Sequence, residues 1–125
     1  MAKENDRIEV TDGQIGRILA HCPNDPEDKI WPLKPVRDLI EELANSKIEQ
    51  NMAIEKINMR GATSRAMFDG GKQEHALAEQ YKRWSLALST HWPRVAAMLN
   101  AISKDWEHWA KIEDEEAERD RIKFR

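Results

Sequence analysis

The second half of this 125-residue chain carries an apolar stripe at helical spacing, and this stripe limits the possible folds more than any other feature. The first part of the stripe comprises Leu77, Tyr81, Trp84 and Leu88. The second part comprises Val95, Leu99, Ile102, Trp106 and Trp109. Both parts advance in steps of three and four residues, which is typical of a helix that packs against another helix. We therefore predict two amphipathic helices, with Trp84, Leu99, Ile102 and Trp106 in the core.

Pro93 separates the two parts of the stripe. Proline lacks the amide hydrogen and suits the first turn of a helix, so the chain should reverse or kink at Trp92-Pro93. A helical hairpin would bring Trp106 close to Leu77. One very long helix kinked at Pro93 is the alternative, and the hairpin is the interpretation that we prefer.

A short first helix and a proline-rich connection are expected in the N-terminal third. The stretch from Thr11 to Gln14 has the form of a capping box, which predicts a helix over residues 12–21 that Pro23 would end. Residues 22–34 hold three prolines and predict an ordered connection. Trp31 in this connection is either a core side chain or an exposed anchor for a partner, and core packing is the favoured alternative.

Three longer helices are expected after the connection. The apolar pattern over residues 35–59 contains no Gly and, after its first residue, no Pro, which favours one helix there. A break near Asn45 is the alternative. Two further helices are predicted over residues 72–91 and 93–115. The fold class is therefore all-α, a single domain in which the three longer helices form an antiparallel bundle, joined by the short N-terminal helix and the proline-rich connection.

The composition is polar for a protein with a core of its own, with 34% charged residues, a net charge of −3 and a mean hydropathy of −0.79. Residues 1–10 and the highly charged residues 116–125 are expected to fray. No apolar run approaches the roughly 20 residues of a membrane span, and the first residues have no signal-peptide pattern. Cys22 is the single cysteine, so we expect no intramolecular disulfide and a cytoplasmic location.

The sequence holds no pattern that predicts a metal or nucleophilic site. Asp105-x-x-His108 occurs once, whereas a di-iron bundle needs the Glu-x-x-His motif twice. Neither the His-Glu-x-x-His motif nor the Gly-x-Ser-x-Gly motif is present. The four histidines show no ligand spacing with one another: His21, His75, His91 and His108. We predict a protein that is not an enzyme and that has no cofactor, no metal and no evident small-molecule substrate.

The connection over residues 60–71 has a weak resemblance to an anion-binding loop. Arg60 and Arg65 flank hydroxyl residues, and Gly70-Gly71 precedes a helix start, where free amide groups favour an anion. No Walker lysine accompanies them, so a plain connection between helices is favoured.

Nucleic-acid binding is the alternative function. From Arg60 to Lys104 there are seven basic and three acidic residues, so this stretch is positive within an acidic chain. Its candidate phosphate contacts are Arg60, Arg65, Lys82, Arg83 and Arg94. Such contacts would supply affinity without sequence preference, but the overall charge argues against a strong binder.

The function that the sequence favours is a non-enzymatic helical module for protein interaction or oligomerisation, as a subunit or adaptor of a larger assembly. Tryptophans commonly anchor such contacts, and a bundle of this size need not bury all of them. The predicted partner-binding residues are Trp31, Trp92, Trp109 and His108. The sequence does not indicate the identity of the partner, the biological process or the oligomeric state.

Overall fold

The computed structural model describes residues 2–59 and 71–123, with side chains at residues 11–59 and 71–119, and this part of the chain is helical without strands. The helices are α1 (Ala2–Leu19), α2 (Lys34–Leu43), α3 (Ser46–Asn58), α4 (Lys72–Leu88) and α5 (Pro93–Lys123). The predicted all-α class is therefore confirmed. Within the described residues, no helix combines the length and the apolar character that crossing a bilayer requires.

The first and last helices extend beyond their predicted bounds. Helix α1 begins at Ala2, so the prediction of a helix start near residue 12 is wrong: Thr11 lies inside the helix rather than at its cap. Helix α5 continues past the predicted end at residue 115 to Lys123, and Ala117 within the extension is buried. A helix of 31 residues is about 46 Å long, which lets α5 contact several other helices along its length.

The prediction of one helix over residues 35–59 is wrong, and the alternative of a break near Asn45 is correct. Ala44 adopts a left-handed conformation (φ 47°, ψ 46°) and ends α2. Asn45 then caps α3, because its side-chain oxygen accepts a hydrogen bond from the Ile48 amide at 3.1 Å. An asparagine cap can therefore start a new helix where no glycine or proline marks the boundary.

Helices α4 and α5 form the predicted antiparallel hairpin. The Ser85 hydroxyl donates to the Ala96 carbonyl at 2.6 Å, and the Ser103 hydroxyl donates to the Ala78 carbonyl at 2.6 Å. These pairs advance along one helix as they go back along the other, so the chain reverses before Pro93. The alternative of one kinked helix is wrong.

Glycines allow two close approaches between the helices. A Cβ atom on Gly16 of α1 would lie 2.5 Å from the Ile48 carbonyl oxygen of α3. A Cβ atom on Gly71, just before α4, would lie 2.3 Å from the Ala110 carbonyl oxygen of α5. Neither distance is possible for a real side chain, so both positions need glycine.

One buried cluster connects the helices. Leu99, Ile102 and Trp106 are buried as predicted, and Trp84 packs against them half-buried. Helix α5 contacts α2, α3 and α4, while α1 packs on α3. The more specific prediction, a bundle of exactly three longer helices, is not confirmed.

Candidate protein-interaction surface on helices α3 and α5

The proline-rich connection is held by a buried arginine of α2. Arg37 is fully buried, and its guanidinium donates to both carboxylate oxygens of Asp28 at 2.8 and 2.9 Å. It also donates to the carbonyls of Pro32 at 2.6 Å and Ile30 at 2.7 Å. The hydrogen bonds from Arg37 lower the pKa of Asp28 from 3.8 to about 2. These bonds order the connection, as the sequence predicted.

A second carboxylate organises the same connection. Asp25 is buried and accepts hydrogen bonds from the amides of Glu27 at 3.0 Å and Lys34 at 3.1 Å. Burial by itself would raise the pKa of Asp25, but these two amides and the Lys34 ammonium together lower it below its usual value. The Lys34 ammonium also pairs with Glu27.

Trp92 lies where this connection and α2 meet the start of α5, a region that we call the α2–α5 corner (residues 25–41 and 92–95). Its indole nitrogen donates to Asp38 at 2.8 Å, and the Arg37 guanidinium carbon lies 5.0 Å from the centre of its ring. Glu41 accepts hydrogen bonds from the amides of Arg94 at 3.2 Å and Val95 at 2.9 Å. The corner therefore uses both the indole N–H and one ring face of Trp92 within the chain.

Trp31 belongs to the core. Its side chain is fully buried, and the Lys56 ammonium lies 4.7 Å from the centre of its ring. This placement confirms the core alternative for Trp31. Its predicted role as a partner-facing residue needs correction, because a side chain without accessible surface offers nothing for a partner to contact in this fold.

An open apolar groove of about 470 Å³ runs between α3 and α5. The side chains of α3 that line it are Ser46, Glu49, Gln50, Ala53, Ile54 and Ile57. Those of α5 are Ala97, Met98, Ala101 and Asp105. Three of the ten lining residues are alanines, so the two helices present a shallow channel rather than a ridge of large side chains.

The groove continues towards Trp109. A second cavity of about 260 Å³ shares Ile57 with the groove and is lined further along α5 by Trp106, Trp109 and Glu113. Trp109 lies twelve residues after Ala97 on α5, so the combined surface extends for about 18 Å between them. We call this combined surface the α3–α5 groove.

Two large apolar side chains are exposed along the α3–α5 groove. Ile54 is 57% exposed and Trp109 is 46% exposed. His108 is exposed beside Trp109, with 6.2 Å between the ring centres. Of the four predicted partner-binding residues, Trp109 alone lines the α3–α5 groove; His108 is its exposed sequence neighbour and lines neither cavity, and Trp31 and Trp92 lie elsewhere.

The α3 side of this surface has little signal in the sequence. Ile54 is one apolar residue of the pattern over residues 35–59, and Ala97 and Ala101 are small residues without a signal of their own. The only sequence signal was that Ile54 does not fall in register with Ile48 and Met52, the two buried residues of α3. An apolar residue outside the buried face of a helix is a candidate for contact with another molecule.

The start of α4 already holds an anionic group of the chain itself. The Gly71 amide donates to Asp114 at 2.7 Å, and His75 Nε2 lies 2.8 Å from the other oxygen of the same carboxylate. The hydrogen bond with His75 and then the one from Gly71 lower the pKa of Asp114. The predicted anion-binding position at this helix start is thus taken by Asp114, while Arg60 and Arg65 lie outside the described residues.

Three of the candidate nucleic-acid contacts lie among the described residues: Lys82, Arg83 and Arg94. Arg94 is bound through its Nε to Glu49 at 2.7 Å. Lys82 and Arg83 are exposed on α4. The described residues contain no group of three or more His, Cys, Asp or Glu side chains placed to hold a metal ion.

A scan against models of known protein families finds no match, and neither a search of curated proteins nor one of solved structures finds a match.

Proposed function

We propose that this protein is a non-enzymatic helical interaction module, a subunit or adaptor that binds one helix of a protein partner in the α3–α5 groove. The observation that supports this most directly is the exposure of Ile54 and Trp109 along an open apolar groove. Exposed apolar area of this kind gains free energy when a partner covers it, at about 25 cal/mol for each Å².

The dimensions of the groove suit a helix. A partner helix about 18 Å long has roughly twelve residues, or three turns, and it can present apolar side chains at positions i, i+3 or i+4, and i+7. Ala53, Ala97 and Ala101 allow such a helix to approach closely. Trp109 at one end would act as the large aromatic anchor that interfaces commonly contain.

We expect two histidine–carboxylate pairs of the described residues to contribute to the fold, because each joins residues that are far apart in the chain. His75 is engaged with Asp114, and His21 Nε2 lies 3.0 Å from the Glu55 carboxylate. The half-buried Cys22 is the single cysteine and fits a reducing compartment, so a cytoplasmic location is part of the proposal.

A selection experiment tests the proposal. A display library of amphipathic helical peptides is selected against the full chain, and the affinities of the selected peptides are measured for the wild type, Ile54→Glu and Ile18→Glu. Ile18 lies on α1 and is 72% exposed, so it is a matched control away from the groove. We expect Ile54→Glu to weaken binding at least tenfold, which is about 1.4 kcal/mol, and Ile18→Glu to leave it unchanged.

Two results would contradict the proposal. One is that no peptide is enriched on the wild type. The other is that Ile54→Glu and Ile18→Glu bind the selected peptides equally well, which would place the binding surface elsewhere on the chain. Circular dichroism and the midpoint of urea unfolding show whether both variants keep the fold.

A further inference from the structure

The charged side chains that line the α3–α5 groove are all carboxylates. Glu49 and Asp105 line its main part, and Glu74 and Glu113 line the cavity at the Trp109 end. Resting on the proposed function, we propose that the partner helix is basic as well as amphipathic, with lysine or arginine side chains beside its apolar stripe. Charge complementarity of this kind determines which of several similar helices an apolar groove accepts.

Among the groove carboxylates, Asp105 is the one that most requires a cationic group on the partner. It is half-buried on α5, one helical turn from Ala101 and one turn from Trp109. Within the described part of the chain, the Asp105 carboxylate makes no hydrogen bond or ion pair. An apolar helix that covered the groove would remove water from this charge without supplying a hydrogen bond or a cation, and this costs free energy. A cationic side chain at this position would compensate the charge instead.

The chain itself shows how this surface binds a cation. At the other end of the groove, the Arg94 guanidinium donates to Glu49 at 2.7 Å, and Glu49 is mostly buried. The chain thus supplies its own cation to the first groove carboxylate but not to Asp105. Lys104 and His108 fall on a neighbouring exposed row of α5, and neither lines the two cavities.

The same charges argue against a second copy of this chain as the occupant. A two-fold contact places the same surface on both partners, so the groove carboxylates of one copy would face those of the other. Like charges brought together in this way weaken association. A foreign helix with lysine or arginine next to leucine or isoleucine fits the surface better.

The helical register defines where the cation of the partner must be. Asp105 follows Ala101 by four residues and precedes Trp109 by four. On the partner, a basic residue should therefore lie about one turn from each of two apolar residues.

Two synthetic peptides provide the test. Both keep the apolar stripe of a helix selected on the full chain, and they differ only in the residues beside the stripe, which are lysine in one and glutamine in the other. Affinities are measured for the wild type, Asp105→Asn and Glu107→Gln. Glu107 is an exposed carboxylate of the same helix outside the groove and is the matched control.

We expect the lysine peptide to bind the wild type about tenfold more tightly than the glutamine peptide. Asp105→Asn should remove most of this difference, and Glu107→Gln should retain it. The advantage of the lysine peptide should also shrink with added salt, while binding of the glutamine peptide changes little.

The failures of the two proposals are distinguishable. Equal binding of both peptides, still sensitive to Ile54→Glu, would overturn the basic partner and leave the helix-binding groove in place. If both peptides bind and Ile54→Glu does not weaken their binding, the proposed function would be overturned. Sedimentation that shows a dimer lost in Ile54→Glu would establish a second copy as the occupant and overturn the basic helix.

Discussion

The α2–α5 corner and the α3–α5 groove share helix α5, but they differ in how their side chains are satisfied. In the corner, the fully buried Arg37 donates four hydrogen bonds within the chain, and Trp92 is held by Asp38. In the groove, Ile54 and Trp109 keep about half of their surface exposed, and Asp105 has no partner in the described part of the chain.

This difference separates residues that stabilise the fold from residues that are available to another molecule. A buried polar group without its partner costs free energy, so a change in the corner should lower stability. An exposed apolar residue contributes little to the fold, so a change in the groove should alter binding at nearly constant stability. Four substitutions test this separation, from the largest expected loss of stability to the smallest.

Replacing the buried arginine should have the largest effect. Arg37→Leu removes all four hydrogen bonds and leaves the Asp28 carboxylate without its cation. We expect a loss of about 3 kcal/mol in the free energy of unfolding. This value is at the lower end of the range for a broken buried ion pair, because the Asp28 side chain keeps some contact with water. Urea unfolding measures this loss.

Arg83→Leu, at an exposed position of α4, is the control and should change stability by no more than about 0.5 kcal/mol. Equal losses in both variants would contradict the role of the corner.

The Asp28 carboxylate should make stability depend on pH in the acid range. Its pKa falls from 3.8 to about 2 on folding, so the stability from this group is complete above pH 4 and is lost as the pH falls towards 2. Asp28→Asn should lower stability at pH 7 by about 1–2 kcal/mol, since a partly exposed side chain gives less than the full shift implies. It should also flatten the acid side of the stability curve.

Urea unfolding at several pH values between 2 and 7 checks this prediction. Glu79→Gln removes an exposed carboxylate of α4 and is the control. An acid loss of stability that is the same in Asp28→Asn and in the wild type would show that other carboxylates cause it.

The start of α5 should depend on Glu41 to a smaller degree. The carboxylate accepts hydrogen bonds from two amides that have no partner within the helix, and its charge favours the positive end of the helix dipole. Glu41→Ala should therefore cost about 1 kcal/mol, as the loss of a helix cap does. The neighbouring Glu42 is exposed, so Glu42→Ala is a close control. Equal midpoints of thermal unfolding for the two variants would argue against a capping role.

The elements that the sequence predicted well are those encoded by local periodicity. The steps of three and four residues around Leu99 and Ile102 identified the core of α5, and Pro93 identified the turn of the hairpin. The break at Ala44 was only the less favoured alternative, because a left-handed alanine has no signal comparable to a glycine. The early start of α1 was missed because the ten residues before the predicted start are mostly polar and resemble an unstructured end.

The contacts between distant parts of the chain could not be predicted from spacing. The pairing of Glu41 with the amide of Arg94 joins residues 53 positions apart. The α3–α5 groove likewise forms only when Ile54 and Ala101 come together from two helices. Trp109 became a candidate because a large aromatic residue near a charged extension is conspicuous in a sequence, whereas an alanine that lines a groove is not.

Filling the groove should have the smallest effect on stability and a large effect on binding. Ala101 is exposed and lines the α3–α5 groove, so Ala101→Leu places a larger side chain in the volume that a partner helix would occupy. We expect the free energy of unfolding to change by less than about 0.5 kcal/mol, because an exposed helical position accepts either residue. The affinity for selected peptides should fall about tenfold. Ala87→Leu, at an exposed position of α4, is the control for both measurements. A large loss of stability in Ala101→Leu alone would mean that the groove closes within the chain, and the contrast with the corner would no longer hold.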